Sequence, residues 1–403
     1  MKKKISLLVL VFSSVILIGQ NTEQNSNEYT NTATNLMLKD SKLSIGGYAQ
    51  IDYNQPLNSE IQKTGTLDVH RLVLLFGYKF NERTSFVTEV EFEHVKEVYV
   101  EQAFLNYKIN DYINFRGGLL LVPMGIINEY HEPTTFNGVE RPLVDKYIAP
   151  TTWREIGFGF TGNVTAAKLK YQAYLLNGFN GYDEGTAILN GSNGLRKGRQ
   201  KGAKSYISAP NLTAKVEFYG VRGLNIGASG YFGKTQSTLF DGLQKDSTRA
   251  VANADSSVVG ISMLGLDARY SIKGLYARGQ LYYSVLSNTN QYNEFTKSVD
   301  GDFNDLGSAM FGYYAEVGYN VFKTLPSVKT ELIPFLRYEQ YNTQHKVEAG
   351  ITTNDANNVN VITTGIGWKM AKGAMLKADV EFRKSIADLG YGKTFNAGIA
   401  IQF

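Results

Sequence analysis

The sequence predicts an all-β fold, a single transmembrane antiparallel β-barrel of about 16 strands with short turns at one end and long loops at the other. Three observations predict it. Segments in which apolar and polar residues alternate recur along the chain up to its last residue. Short and long connections alternate between those segments. Beyond the first twenty residues, no apolar run reaches the roughly 18 residues that a membrane-spanning helix needs.

The chain opens MKKKISLLVLVFSSVILIG, with Lys2, Lys3 and Lys4 ahead of fifteen apolar or small residues from Ile5 to Gly19. A positive start and a short apolar core make a secretory signal, and fifteen residues are too few to cross a bilayer as a helix. Residues 1–20 are therefore read as a signal peptide, cleaved near Gly19 to Asn21. The chain has no cysteine, so this is no lipoprotein signal, and disulfides and thiolate metal sites are excluded. Losing three lysines takes the formal charge from +4 to +1, which gives no reason to expect nucleic acid. Residues 21–40, NTEQNSNEYTNTATNLMLKD, are polar and Asn-rich and read as a flexible periplasmic leader; residues 41–403 form the barrel.

Each barrel segment has a period of two, the mark of a strand with one apolar and one polar face. KLSIGGYAQIDYN puts Leu43, Ile45, Ala49, Ile51 and Tyr53 on one face. SFVTEVEFE sets Phe86, Val90 and Phe92 against Glu89, Glu91 and Glu93, and AKLKYQAYLL sets Leu169, Tyr171, Ala173 and Leu175 against Lys168, Lys170 and Gln172. Later segments repeat the pattern, with Arg278 and Gln280 opposite Leu281 and Tyr283, and Asp379 and Glu381 opposite Val380 and Phe382. Sixteen segments start near 43, 66, 84, 97, 112, 154, 167, 212, 224, 258, 275, 311, 330, 360, 374 and 395. The 40 glycines and 48 Tyr and Phe residues suit twisted strands and tight turns.

Short links such as NERT, NDY, SIKG and AKGA alternate with long ones near 122–153, 177–211, 234–257, 286–310 and 341–358, the layout of an outer-membrane barrel. The last strand, TFNAGIAIQF, alternates up to Phe403. In lipid a sheet can span only if it closes, so this strand is expected to pair with the first and turn Phe403 to the acyl chains. An even strand count then puts both termini on the periplasmic side.

GGLLLVPMG, VERPLVDKYIAPTTWRE and IGFGFTG follow one another between Gly117 and Gly162, and LDVHRLVLLFGYKF and YLLNGFNG flank them. Together these resemble the phosphate-selective porin family (porins O and P). The resemblance covers roughly residues 40–403 and is strongest from about 66 to 181. It implies a sixteen-stranded trimeric porin of the Gram-negative outer membrane whose third long loop folds into the lumen. Here that constriction loop would be 122–153; an exposed extracellular loop is the alternative, but Pro123, Pro133, Pro142 and Pro150 mixed with Met124, Ile126, Ile127, Phe136 and Leu143 favour the inward path.

An anion channel needs cations facing a narrow lumen of low dielectric. Alternation nominates Arg116, Arg154, Lys168, Lys170, Lys215, Arg269, Arg278 and Arg337 as pore-lining, together with Lys377 and Arg383. Lys168, Lys170 and Lys215 are placed on a single basic stripe, and Glu140, Arg141, Asp145 and Lys146 at the constriction. The same rule turns Glu89, Glu91, Glu93, Glu217, Asp267, Glu316, Glu339, Asp379 and Glu381 inward, so the opposing reading is a wall of transverse salt bridges. The family's arginine ladder does not map residue by residue onto this chain, so phosphate preference rests on the resemblance alone. GLRKGRQKGAK at 194–204 reads as a solvated basic loop, with anion or lipopolysaccharide attraction as its alternative.

Other chemistry is weak. Gly233-Lys234-Thr235 and Gly392-Lys393-Thr394 lack the phosphate-loop glycine, and DGDFND at 300–305 lacks the calcium-loop glutamate. His70, His94, His131 and His345 share no ligand or triad spacing, so no metal and no cofactor is expected. Trp153 and Trp368 read as residues of the interfacial girdle. The expected function is a non-enzymatic outer-membrane pore for passive diffusion of small hydrophilic solutes. Its expected partners are membrane lipid and lipopolysaccharide, the barrel-assembly machinery and two further copies of the chain. An adhesin or receptor barrel without an open lumen, and a barrel hydrolase, are the rivals.

Overall fold

The computed structural model describes residues 29–57 and 60–403; the signal peptide and residues 21–28 of the leader lie outside them. Sixteen strands pair in chain order, and the last pairs with the first to close a barrel. They begin with β1 (Leu43–Leu57), β2 (Thr66–Lys79), β3 (Thr84–Glu93), β4 (Glu97–Lys108) and β5 (Asn114–Leu121). Then come β6 (Arg154–Val164), β7 (Leu169–Leu176), β8 (Asn211–Val221), β9 (Leu224–Lys234) and β10 (Gly260–Ile272). The rest are β11 (Leu275–Ser287), β12 (Ala309–Tyr319), β13 (Glu331–Lys346), β14 (Asn358–Ala371), β15 (Ala374–Ser385) and β16 (Gly392–Gln402). All sixteen expected starts lie within three residues of an observed one.

The two faces divide as the alternation requires. Leu43, Ile45, Leu72, Phe158, Leu264, Leu266, Ile366 and Ile399 stand exposed on the outer wall, while Glu89, Glu91, Lys215, Glu217 and Arg337 are buried inside. No helix among the described residues is long and apolar enough to cross a membrane, so the strands carry the span.

At the seam, Tyr48 faces Gln402, Ile51 faces Ile399 and Asn54 faces Asn396. Phe403 N–H donates to Gly47 O at 2.9 Å, and Gly47 N–H donates to Phe403 O at 3.0 Å. An unpaired peptide group in hydrocarbon costs about 2–7 kcal/mol, so this pairing of two open edges is what permits the span. Phe403 lies 63% exposed on the outer face. A Cβ on Gly47 would come within 2.7 Å of its ring, so glycine makes room for the terminal side chain.

Both ends of the barrel follow the expected layout. Turns at 80–83, 109–113, 165–168, 222–223, 273–274 and 372–373 share one end with the termini, joined by a longer link at 320–330. The opposite end carries loops 122–153, 177–210, 235–259, 288–308 and 347–357, but also the tight link 94–96. Its loops are not loose. Strands Asn180–Asp183, Thr186–Ala187 and Gln236–Ser237 join two of them in a small sheet, and helices Thr248–Ser256 and Thr289–Phe295 add further structure.

Two expectations need correction. Residues 29–40 are not a loose leader: α1 (Thr32–Leu38) docks on β1, β2 and β3 with Thr32, Ala33 and Leu36 buried. Asn31 caps it by accepting from Thr34 N–H at 2.9 Å, and Gly77 leaves the wall flat beneath Leu36. Trp153 is not in the girdle. It is fully buried, stacked on Phe179 at 4.3 Å and beside Tyr231 at 4.7 Å, because it closes the base of a folded loop. Trp368 is exposed, as a girdle residue should be.

Gly47→Val should strain both sides of β1, since its Cβ would lie 2.5 Å from Val73 O on β2 and 2.7 Å from the Phe403 ring at the seam. The expected loss is about 1–3 kcal/mol, read as a lower urea midpoint for the refolded barrel in detergent. An unchanged midpoint would show that the close approach at Phe403 does not matter.

Candidate functional site

Loop 122–153 leaves β5 and returns to β6 with its two ends tied together. Val122 N–H donates to Trp153 O at 3.0 Å, and the Asn128 side chain bonds both carbonyls, at 2.7 and 2.9 Å. From that base the loop folds across the lumen, not outward. Ile126 N–H donates to Gln280 on β11 at 2.8 Å, and Lys215 on β8 reaches Gly125 O and Glu129 at 2.6 Å each. Val139 N–H donates to Asp379 on β15 at 2.7 Å, and Leu143 N–H to Glu339 on β13 at 2.5 Å. Asn54 on β1 donates to Glu140 at 3.0 Å. The loop therefore touches the wall on several sides, with the backbone donors of Val139, Leu143 and Val144 met by carboxylates of the strands.

Gly125 allows this path. It has φ +66°, and a Cβ there would lie 1.8 Å from the Tyr282 hydroxyl. Met124, Ile126, Ile127, Phe136 and Val144 are buried, so the apolar residues of the loop pack within the barrel.

The expected pore-lining cations fall into three groups. Most are paired. Arg154 lies 3.4 Å from Glu101, Arg269 2.5 Å from Glu217, and Arg278 3.0 Å from Glu316. Arg337, fully buried, reaches Glu339 at 3.4 Å and Glu316 at 3.7 Å, and donates to Glu140 O at 3.1 Å. Lys215 holds Glu129 and Asp267 at 2.6 and 3.7 Å, and Lys377 donates to Gly138 O at 2.9 Å. These side chains brace the loop against the wall, which is the transverse-bridge reading.

A second group faces open space. Arg116 donates to Asn106 at 3.0 Å and lies over Phe104, while Lys170 lies 3.9 Å from Glu217 and donates to Tyr29 O. Both line a cavity of about 560 Å³ at the short-turn end of the barrel. The third group leaves the lumen wall. Lys168 has φ +54° and sits exposed in the β6–β7 turn, because the strand begins only at Leu169. With Lys215 under the loop and Lys168 outside, the expected stripe does not form. Arg383, by contrast, stays on the inward face of β15 with Lys377 and Asp379 and donates to the hydroxyl of Tyr341, which stacks on Tyr147 of the loop.

Within the loop, Arg141 donates to His131 O at 3.0 Å, and burial pulls its pKa down to about 10. Asp145 is buried and accepts from Gln280 and from Tyr282, the latter at 3.1 Å; burial pushes its carboxyl up to about 7. Lys146 is exposed over Tyr147. The basic loop at 194–204 is not simply solvated: Arg199 donates to Thr151 O at 2.5 Å and to the Thr152 hydroxyl at 2.7 Å, roofing the constriction loop.

Two contacts escaped the sequence. His131 Nε2 lies 3.1 Å from Glu101 and 3.4 Å from Glu89, both buried. Burial opposes its charge, but bonds to the two carboxylates outweigh that and push its pKa up to about 10. The amino-terminal segment also meets the loop. Thr32 donates to Glu132 from its backbone at 2.9 Å and its hydroxyl at 2.7 Å, and the Arg269 guanidinium lies against the rings of Tyr29 and Tyr130, 4.2 and 4.1 Å from their centroids, the two rings meeting edge to face at 6.4 Å. No spacing announced either, since the partners lie far apart in sequence.

The His131 clamp contributes stability that is complete below the ordinary histidine value of 6.5 and lost as pH rises through about 10. His131→Ala removes its bonds to two buried carboxylates, which keep Arg154, Tyr48 and Gln102 as partners, and should cost about 1–3 kcal/mol. The expected signs are faster hydrogen exchange across residues 126–140 and, in the unaltered protein alone, a rise in that exchange near pH 10 beyond the ordinary base-catalysed trend. Equal exchange in both proteins would show that the contact holds nothing.

The sequence matches the family described as phosphate-selective porin O and P over residues 43–350. A protein of Aquifex aeolicus is 31% identical over 373 residues, covering 90% of this chain and 80% of its own. Among solved structures, OmpF of Salmonella typhi in complex with daunomycin superposes with a TM-score of 0.58 at 13% identity, over 90% of this chain and 97% of that one. The anion-selective porin from Comamonas acidovorans gives 0.55 at 13% identity, over 90% and 99%. At such identities the structural likeness carries the fold, whereas the family match reaches across the constriction loop and most of the wall. The chain belongs to the phosphate-selective porin O and P family and is an outer-membrane porin for the passive diffusion of small hydrophilic solutes.

Proposed function

We propose that the pore prefers anions, that loop 122–153 sets its narrowest passage, and that it works as a homotrimer without any catalytic step. One observation carries the preference: the charge around the 560 Å³ cavity at the short-turn end. Lys79, Arg83, Lys108, Arg116 and Lys170 line it against Glu82, Asp111 and Glu129. Asp111 pairs with Lys108 at 2.7 Å and Glu129 with Lys215 at 2.6 Å, which leaves Lys79, Arg83 and Arg116 against Glu82. A walled vestibule focuses such an excess on a passing ion. Asn106, Asn114 and Gln172 add amide donors suited to an oxyanion that sheds part of its water.

Support also comes from relatives: the matched family is described as phosphate-selective, and one structural neighbour is an anion-selective porin. The trimer rests on likeness to OmpT of Vibrio cholerae in its trimer form, with a TM-score of 0.51. The short-turn end, which holds the termini, is read as periplasmic, and residues 1–20 as the export signal that delivers it there.

Refolded protein in a planar bilayer should conduct, with a reversal potential in a potassium chloride gradient of the sign for anion preference. Arg116→Glu should cut the anion-to-cation permeability ratio roughly twofold or more. Cation preference in the unaltered pore would overturn the proposal, and phosphate that leaves chloride current unchanged would restrict it to anions in general. Deleting residues 29–38 should raise single-channel conductance, because α1 and Tyr29 stand against the lumen wall. An unchanged conductance would place the limiting section elsewhere.

A further inference from the structure

At the loop end of the barrel, Asp68 and His70 on β2 meet His94 from the tight β3–β4 link. Sequence spacing offered no hint of this, since 24 positions separate the two histidines. The Nδ1 atoms of His94 and His70 lie 2.6 and 3.6 Å from the same oxygen, Asp68 Oδ2, and all three donor atoms lie within 4.8 Å of one another. We propose that Asp68, His70 and His94 form a binding site for a divalent transition cation at the outer mouth of the pore.

The donor set is two imidazoles and a carboxylate, which suits zinc, copper or nickel rather than calcium or magnesium. Bonds of about 2.0–2.2 Å in tetrahedral geometry set donor atoms roughly 3.3–3.5 Å apart. His70 and Asp68 come close to that spacing at 3.6 Å. His94 must draw back from 2.6 Å, and it is well placed to do so. It has φ +52° in a link whose next residue, Val95, has φ +69°, and its side chain is 42% exposed. The fourth position stays open to water or an anion.

Neighbouring groups support His94 and work against His70. His94 Nε2 lies 4.0 Å from Glu93, the kind of orienting carboxylate that metal-bound histidines commonly have. His70 Nε2 accepts from Arg71 Nη2 at 3.0 Å. Coordination through Nδ1 leaves the imidazole proton on Nε2, so that Arg71 nitrogen must turn away while Nη1 stays 3.3 Å from Glu91. Arg141 and Arg196 also act on His70 through space. These cations weaken the site, which places it among micromolar rather than structural metal sites.

Occupancy has a consequence at the mouth. Asp68 pairs in register with Asp52, whose buried side chain bonds Gln50, and Gln50 bonds Val139 O in the constriction loop. The site thus stands on the lumen face above the narrow section. A bound dication turns a negative rim position positive, which favours anions further. The inference rests on the proposed anion preference only for that second effect; binding itself needs no open channel.

The test begins with full-length mature protein, refolded in detergent and stripped with chelator, then titrated with zinc chloride by calorimetry. One zinc per chain in the micromolar range is expected. His94→Gln and Asp68→Asn should weaken it by roughly 100-fold, since each removes a ligand outright. His345→Gln, an exposed histidine elsewhere, should leave it unchanged. Cobalt(II) added to the unaltered protein should give visible absorption that zinc abolishes, which decides the matter even if a variant fails to refold. No zinc binding below millimolar concentration, or binding that survives loss of His94, overturns the site. In a bilayer, zinc added on the loop side should shift the reversal potential toward anion preference in the unaltered protein and not in His94→Gln. A shift that persists in the variant overturns the proposed effect on the pore while leaving the binding result to stand on its own.

Discussion

Backbone hydrogen bonding in a medium without water is the constraint on which this molecule depends. Hydrocarbon offers no partner to a peptide group, so a sheet that crosses it must leave no edge. The pairing of β1 with β16 removes the last two edges and extends as far as Phe403, whose backbone exchanges both bonds with Gly47. Closure in turn creates an inside. Once the strands ring a lumen, every second side chain is committed to it, and the fate of those polar groups decides what the protein can do.

Their fate here is mostly mutual neutralisation. Arg154 with Glu101, Arg269 with Glu217 and Arg278 with Glu316 leave little free charge on the middle of the wall. Buried pairs of this kind add little net stability over apolar packing, but breaking one is costly because its partner is left charged and dry. Such pairs therefore fix geometry. The constriction loop exploits this, setting its backbone N–H groups at Val139 and Leu143 on Asp379 and Glu339 and its His131 between Glu89 and Glu101. Cationic character survives mainly at the short-turn end, around Arg116.

The amino-terminal segment adds a second layer. Its polar composition suggested a loose leader, yet α1 contributes a small apolar face, Ala33 and Leu36, to a wall flattened by Gly46 and Gly77. Tyr29 then meets Tyr130 of loop 122–153 edge to face, and both rings lie against the Arg269 guanidinium. Two segments roughly a hundred residues apart are thus held to one guanidinium, which ties the passage through the barrel to the conformation of residues 29–38.

The sequence by itself determined the sixteen strands, their inward and outward faces, and the closure implied by the alternation ending in Phe403. The strands, faces and closure follow from local rules: side chains alternate every residue along a strand, and lipid tolerates only apolar groups on the outer face. The apolar residues of 122–153 favoured an inward path over an exposed loop, but the wall contacts at Gln280, Asp379 and Glu339 that hold it there came from the tertiary structure. Alternation also found the lumen-facing cations, and failed at Lys168 because the turn before β7 runs further than the pattern suggested. Which cation meets which carboxylate, where Trp153 packs, how α1 docks and how His70 meets His94 were decided by tertiary structure alone. Those contacts depend on the register and curvature of strands brought together across the chain, and a period-two pattern says which way a side chain points but not what waits for it there.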